Sequence, residues 1–237
     1  MNVVSVMAHQ DDELVCLGTM LKMLERGDRL HFICVTDGSG GMAHAPEMTR
    51  QEAAAVRDLE MRALADALSA TYVCLGEHDE FLYDTPDVRL RLIEAMRATE
   101  ADVVFTHHNR DYNLDHVIVN QLVQQCAVHM PLPMIKTNSA PTRHTPAVFV
   151  VEPMGGFEFE PTHWVDISSQ IEKKLKLAMY HRSQDEAFRA AFGPEKGLDH
   201  WVLGMSQARG QQVGVAHAEA FKPMLARGLV KPYQVLP

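Results

Sequence analysis

The 237-residue sequence contains no apolar run near the ~18–20 residues that a membrane-spanning helix requires. It lacks a basic leader followed by a small-residue cleavage site. Its apolar opening ends at a charged motif after Ala8, which predicts a cytoplasmic protein. There is no Lys/Arg-rich block, and the formal net charge is −9, so neither nucleic acid nor a membrane is an expected partner. Cys16, Cys34, Cys74 and Cys126 are the only cysteines, and no two form a CxxC pair. A disulfide framework and a cysteine zinc site are therefore not expected, and all four read as buried thiols. No GxGxxG follows the first apolar run, and no GK[ST] closes the glycine-rich stretch after the second, so a nucleotide cofactor has no support. Internal repeats and low-complexity segments are also lacking.

The 46% of hydrophobic residues suffices for one substantial core. We read 1–237 as a single domain, with a core over 1–150 and further elements over 151–237. Short β-branched runs at Val3–Met7, Leu30–Val35, Tyr72–Leu75, Asp102–Thr106 and Ala147–Val151 read as buried strands. His163–Val165 is a candidate sixth. Helical spacing begins near Asp12, from Thr49 to about Leu68, from Thr85-Pro86 to about Ala98, and from Asp115 onward. Further helices are expected from Ser168 or Ser169 to His181, over Gln184–Phe192 and over Arg209–Phe221. The four prolines of 131–146 mark a loop or lid, Met42 to Met48 reads as a loop, and Tyr233-Gln234-Val235-Leu236 as a short edge strand. Strands alternating with helices predict an α/β fold, a Rossmann-like three-layer sandwich around a mostly parallel sheet.

The chain is organised around Ala8-His9-Gln10-Asp11-Asp12-Glu13, at the C-terminal end of the first strand and the start of the first helix. In open α/β sheets that is where ligands bind. One Asp there would be ordinary helix capping. An imidazole with three carboxylates in five residues points instead to part of a metal site, since zinc takes His nitrogen and carboxylate oxygen. The fourth strand ends in His107-His108-Asn109-Arg110-Asp111-Tyr112-Asn113-Leu114-Asp115-His116. Adjacent parallel strands end on one rim, so this loop can meet the first. His116 then completes two imidazoles and a carboxylate with an open position, the pattern of a catalytic zinc centre. Of His107 and His108, one is expected to line the site and the other to be structural.

These residues carry a resemblance. Ala8–Glu13 resembles the AHxDDE motif of the PIG-L/LmbE-like family of zinc-dependent N-acetylglucosaminyl deacetylases, and Asp111–His116 is similar to its second motif. Thr36-Asp37-Gly38, Arg57-x-x-Glu60, His181-x-Ser183-Gln184 and Gly214-x-x-x-Ala218-Glu219-x-Phe221 extend the similarity along nearly the whole chain. The resemblance implies Zn2+ held by His9, Asp12 and His116. It implies Asp11 as general base and Asp115 as a residue tuning a catalytic neighbour. It places Arg57 and Asp79 at substrate hydroxyls, and the 151–237 elements as completing the site. It also implies assembly into trimers or hexamers.

The sequence departs from the family in two places. The second motif usually carries His where Asn113 stands and Pro where Leu114 stands, and the Gly38-Ser39 pair lacks the acidic residue that some sugar-binding members carry after the glycine. Asn113 can donate a hydrogen bond to an oxyanion but cannot act as an acid at neutral pH. His217, where related sequences often carry Tyr, is the candidate proton donor in its place. The expected activity is hydrolysis of an N-acetyl group on an amino sugar or its conjugate, such as an N-acetylglucosamine derivative. The alternative is a metal-dependent hydratase or lyase on an acidic small molecule, with Arg57, Arg110 and Arg143 as candidate carboxylate binders.

Overall fold

A computed structural model describes residues 1–226 and 235–237. Five strands, β1 (Asn2–Met7), β2 (Arg29–Thr36), β3 (Thr71–Glu77), β4 (Val103–Thr106) and β5 (Ala147–Val151), run parallel in one sheet. β6 (His163–Asp166) and β7 (Ala218–Pro223) extend it through antiparallel pairs, giving the order β3-β2-β1-β4-β5-β7-β6. The alternation of β1 shows why the sheet needs two covering layers. Val3 and Met7 face one cluster and Val4 and Val6 the other, all with essentially no exposure. The first cluster is closed by α1 (Leu17–Glu25), α2 (Arg50–Ala67), α5 (Ile171–Ala178) and α7 (Leu198–Val213). The second is closed by α3 (Pro86–Ala98) and α4 (Leu114–His129), and α6 (Arg182–Phe192) packs beside α2 and α7. The expected three-layer α/β sandwich is the observed one. Among the described residues no helix is long and apolar enough to cross a membrane.

Local signals place most boundaries. Thr49 and Glu52 form a capping box at the start of α2, and Thr85 caps α3 with Pro86 in its first turn. Other boundaries differ from the expectation. Residues Asp12–Val15 form one 3-10 turn, and α1 starts only at Leu17. The helix expected over Arg209–Phe221 ends at Val213. Gly214 adopts φ 76° and stops α7, and a Cβ on Gly210 would come within 2.6 Å of the Val215 carbonyl as the chain turns back. Beyond that turn the chain forms β7 instead of more helix, an interior strand in which Ala218, Glu219, Ala220 and Phe221 are all buried.

The 131–146 segment is not a lid. Arg97 on α3, 2% exposed, donates to the carbonyls of Met130, Leu132 and Ile135 at 2.9 Å each and to Thr137 Oγ1 at 2.7 Å. These bonds strap the segment at the sheet rim where parallel strands begin, opposite the rim of His9. Of the expected edge strand near the C-terminus, Tyr233 and Gln234 lie outside the described residues. Val235 and Leu236 pack on the first cluster without joining the sheet.

Candidate metal centre and active site

The C-terminal ends of β1 and β4 meet as the parallel order requires. Thr36 on β2 holds the Ala8 carbonyl through its N–H at 3.0 Å and its hydroxyl at 2.8 Å, fixing the chain just before His9. His9 Nδ1, His116 Nε2 and the Asp12 carboxylate then converge. His9 Nδ1 lies 3.2 Å from His116 Nε2 and 3.2 Å from Asp12 Oδ2, and His116 Nε2 lies 3.4 Å from Asp12 Oδ1. Ligands at zinc distances of ~2.0–2.1 Å in a tetrahedron stand roughly 3.3 Å apart, so the three donors fit one ion without rearrangement.

The far side of each imidazole supports the same assignment. His9 Nε2 faces Asp79 Oδ1 at 2.9 Å, and His116 Nδ1 faces Asp111 Oδ2 at 2.8 Å. The carboxylate hydrogen-bonded behind His116 fixes its tautomer and raises its basicity, whereas His9 Nε2 and Asp79 Oδ1 are close but not aligned as a hydrogen bond. Burial alone would lower the pKa of both histidines. For His9 the carboxylates of Asp12, Asp115 and Asp79 override it, and for His116 those of Asp12 and Asp111 do, lifting His116 to about 9. Asp12 shows the mirror effect: burial opposes ionisation, but His116, His107 and His9 hold it well below the ordinary carboxylate range.

His107 has a different place. Its Nε2 accepts the Ala8 N–H at 2.9 Å, and its ring stacks on His116 with centroids 3.9 Å apart. Burial, together with the charge of His116, pushes its pKa down to about 4. It is a neutral buttress. His108 packs edge-on against Phe159.

Asp11 sits beside the triad with φ 112°, a backbone conformation unusual for a residue with a side chain. Several groups hold it there. Its N–H donates to Glu13 Oε2 at 3.0 Å, and Glu13 Oε1 pairs with the fully buried His181 at 2.7 Å. Its Oδ1 takes Arg57 Nη2 at 2.8 Å, and the same guanidinium donates to the Gln10 carbonyl. Burial, reinforced by Asp12 and opposed by Arg57, raises the Asp11 pKa to about 6.

Asn113 is the N-cap of α4: its Oδ1 accepts the Asp115 N–H at 2.8 Å, which leaves its amide NH2 as a donor on the cavity wall. Asp115 takes the backbone N–H groups of Glu80 at 2.8 Å and Leu82 at 3.2 Å, tying α4 to the loop after β3. Arg57 and Asp79 line the cavity, but each is 2% exposed and engaged with protein, Asp79 also accepting the Gly40 N–H at 2.5 Å. His217 is not among the cavity-lining residues. Its Nδ1 meets Ser206 Oγ at 2.9 Å between α7 and β6, while its neighbours Ala218 and Glu219 do reach the cavity.

Sequence pattern alone gives Asp111 no role of its own and does not join Glu13 to His181. Asp111 sits five residues before His116, a usable signal. The Glu13–His181 pair spans 168 residues and has no local signal.

The profile of the PIG-L family, GlcNAc-PI de-N-acetylase, matches residues 4–127, more than half of the chain. The chain belongs to the PIG-L family. No curated protein matches it in sequence at a significant level. Among solved structures, N,N'-diacetylchitobiose deacetylase from Pyrococcus horikoshii superposes with a TM-score of 0.79 at 23% identity, covering 94% of this chain and 83% of that one. The 4-carboxy-2-hydroxymuconate hydratase GalB from Pseudomonas putida gives 0.79 at 22% identity, covering 95% and 97%. The conserved protein TT1542 from Thermus thermophilus gives 0.76 at 26% identity, covering 97% and 98%. Such identities establish a shared fold, and both a deacetylase and a hydratase use it.

Proposed function

We propose that the protein is a metal-dependent amidohydrolase that removes an N-acyl group, acetyl in the simplest case, from an amino sugar or its conjugate. One observation carries this reading: His9, Asp12 and His116 converge with oriented imidazoles, while Asp11 stands beside them, held by Arg57 and not turned toward the ligand set. A pure metal-storage site has no use for such a base. A divalent ion bound there, zinc fitting two imidazoles and a carboxylate best, would supply Lewis acidity for the amide carbonyl and acidify water.

Asp11 accepts the proton of the attacking water, and Arg57 and the Glu13–His181 pair keep its carboxylate aimed. The Asn113 amide donates to the oxygen that gains charge. His217 is turned to Ser206, so the proton for the leaving amine comes back from Asp11. A carboxyl that has taken the water's proton stands where the amine leaves and can return it.

The hydratase alternative needs free cations for a substrate's carboxylates. Arg57 is engaged with Asp11 and Gln10, Arg110 is 70% exposed on Glu158, and Arg143 is exposed on the strapped loop. Neither Arg110 nor Arg143 lines the cavity, which favours the amidohydrolase. The test is release of acetate from N-acetylated amino sugars by the zinc-loaded protein. Asp11→Asn should retain metal and lose roughly 100- to 10,000-fold in turnover. Loss of metal in Asp11→Asn would reverse the roles of Asp11 and Asp12. Hydration of an unsaturated dicarboxylate without amide cleavage would replace the reading.

A further inference from the structure

The cavity over the metal centre, about 240 Å³, has two unlike walls. Part of the lining is hydrogen-bonding: the backbone of Gly38, Gly40 and Gly41, with Glu80 and Gln184. Another part of the lining is mainly apolar: Val15, Phe188, Leu198, Trp201, Val202 and Met205, from the turn after β1, from α6 and from α7, with the Trp201 indole N–H buried and unpartnered. His9, Asp12 and His116 line the same cavity. Phe188 and Trp201 meet edge to face at 5.9 Å, and Phe192 backs Trp201 at 5.4 Å, so the wall is built as a packed unit.

The charged groups beside this wall are already neutralised. Lys174 pairs with Glu219 at 2.7 Å and Arg209 with Glu152 at 2.7 Å. They offer an incoming ligand no unpaired charge, which suits an apolar group. An acetyl group presents one methyl to a surface drawn from three elements.

We propose that the preferred substrate is an N-acyl amino sugar whose acyl group is larger than acetyl, an aliphatic chain or an aryl group seated on the apolar α6/α7 wall. The sugar hydroxyls lie against the polar wall. This rests on the amidohydrolase reading and names its substrate class. Burying each further methylene on this wall should raise kcat/KM by about fourfold until the wall is covered.

The experiment uses the zinc-loaded protein and a series of N-acetyl-, N-butanoyl-, N-hexanoyl- and N-benzoylglucosamine, with amine release as the readout. Octyl N-acetylglucosaminide carries the apolar group on the sugar side as a control. The expected result is a kcat/KM that rises from acetyl to hexanoyl by more than tenfold, with no such gain for the octyl glycoside. Met205 is half-buried at the wall, and Met205→Gln should lower the hexanoyl-to-acetyl ratio at least threefold. In the metal-stripped protein, N-hexanoylglucosamine should shift the indole emission, and Trp201→Phe should abolish the shift. A flat or falling series with acetyl still cleaved overturns the acyl assignment and leaves the amidohydrolase standing, as does a gain confined to the octyl glycoside. Failure to cleave any amide overturns both.

Discussion

Two buried charged regions lie within one cavity and are built on opposite plans. Beside the apolar wall, Lys174 meets Glu219 and Arg209 meets Glu152, one cation to one anion. Glu219 is satisfied further by the N–H groups of Gly18 and Thr19 at 2.8 and 2.7 Å, and so caps α1 from another strand. At the candidate metal centre, Asp11, Asp12, Asp79, Asp111 and Asp115 crowd around His9 and His116, with Arg57 as the nearby permanent cation. Buried charges are tolerated when paired and hydrogen-bonded. The first region meets that condition with its own side chains. The second reaches balance by holding protons on His9 and His116, or by exchanging them for a dication. Pairing marks a structural role, and an acidic surplus behind histidines marks a ligand.

The sharpest way to break this contrast is to remove the ligand. His116→Ala or His9→Ala should abolish metal binding and reduce activity to background, because two remaining protein ligands hold zinc poorly. A chelator should do the same to the wild-type protein and lower its melting temperature, with zinc restoring both. At a free ion concentration a thousandfold above Kd the ion would stabilise the fold by about 4 kcal/mol. Elemental analysis and a thermal melt on the same sample decide it. Full metal occupancy in both variants would sink the assignment of the ligands.

The paired region should answer in stability. Lys174→Met leaves the Glu219 carboxylate buried against backbone N–H groups without its cation, and breaking such a pair costs about 3–5 kcal/mol. A melting temperature lower by on the order of 10 °C is expected, with metal content unchanged. If Lys174→Met instead empties the metal site at full thermal stability, the two regions are not separate and the contrast fails.

How far the sequence reveals these regions depends on how local each one is. His9 and Asp12 lie three residues apart at a strand end, and His116 opens the helix after another strand, so residue type, spacing and strand order suffice to join them. The frame of β1 to β5 is legible for the same reason, because each strand is a short β-branched run closed by polar turns. The Glu219 region is not. Residues Ala218–Phe221 are few, carry a buried acid, and come after a helix whose spacing they continue in sequence although Gly214 turns left-handed between them. Lys174, 45 residues away, makes that acid tolerable, and no pattern within either segment announces it. Asp79 shows the same limit: its loop was legible, but its closeness to His9 depends on where β3 lies in the sheet.

A third ion pair, outside the cavity, calibrates the contrast at its weak end. Asp28 follows α1 at the rim opposite the site, where its carboxylate takes the chain's first ammonium at 2.7 Å and the Arg26 guanidinium at 2.5 Å. Partial burial works against ionisation, but those two partners outweigh it and hold the Asp28 pKa below the ordinary value. Both cations are about one-third exposed, at 33% and 36%, so solvent screens the attraction and the pair is worth at most about 1 kcal/mol. A depressed carboxylate stabilises the fold above its unfolded pKa, near ~4, and loses that contribution as pH falls through the folded value. Asp28→Asn should therefore melt below the wild type at pH 7 by no more than about 2–4 °C. The gap should close as pH falls from about 4 toward 2, and 0.5 M salt should narrow it at pH 7. A loss as large as that of Lys174→Met would mean that burial is not what separates the structural pair from a surface one. A gap that widens in acid would mean that Asp28 is not held ionised in the fold.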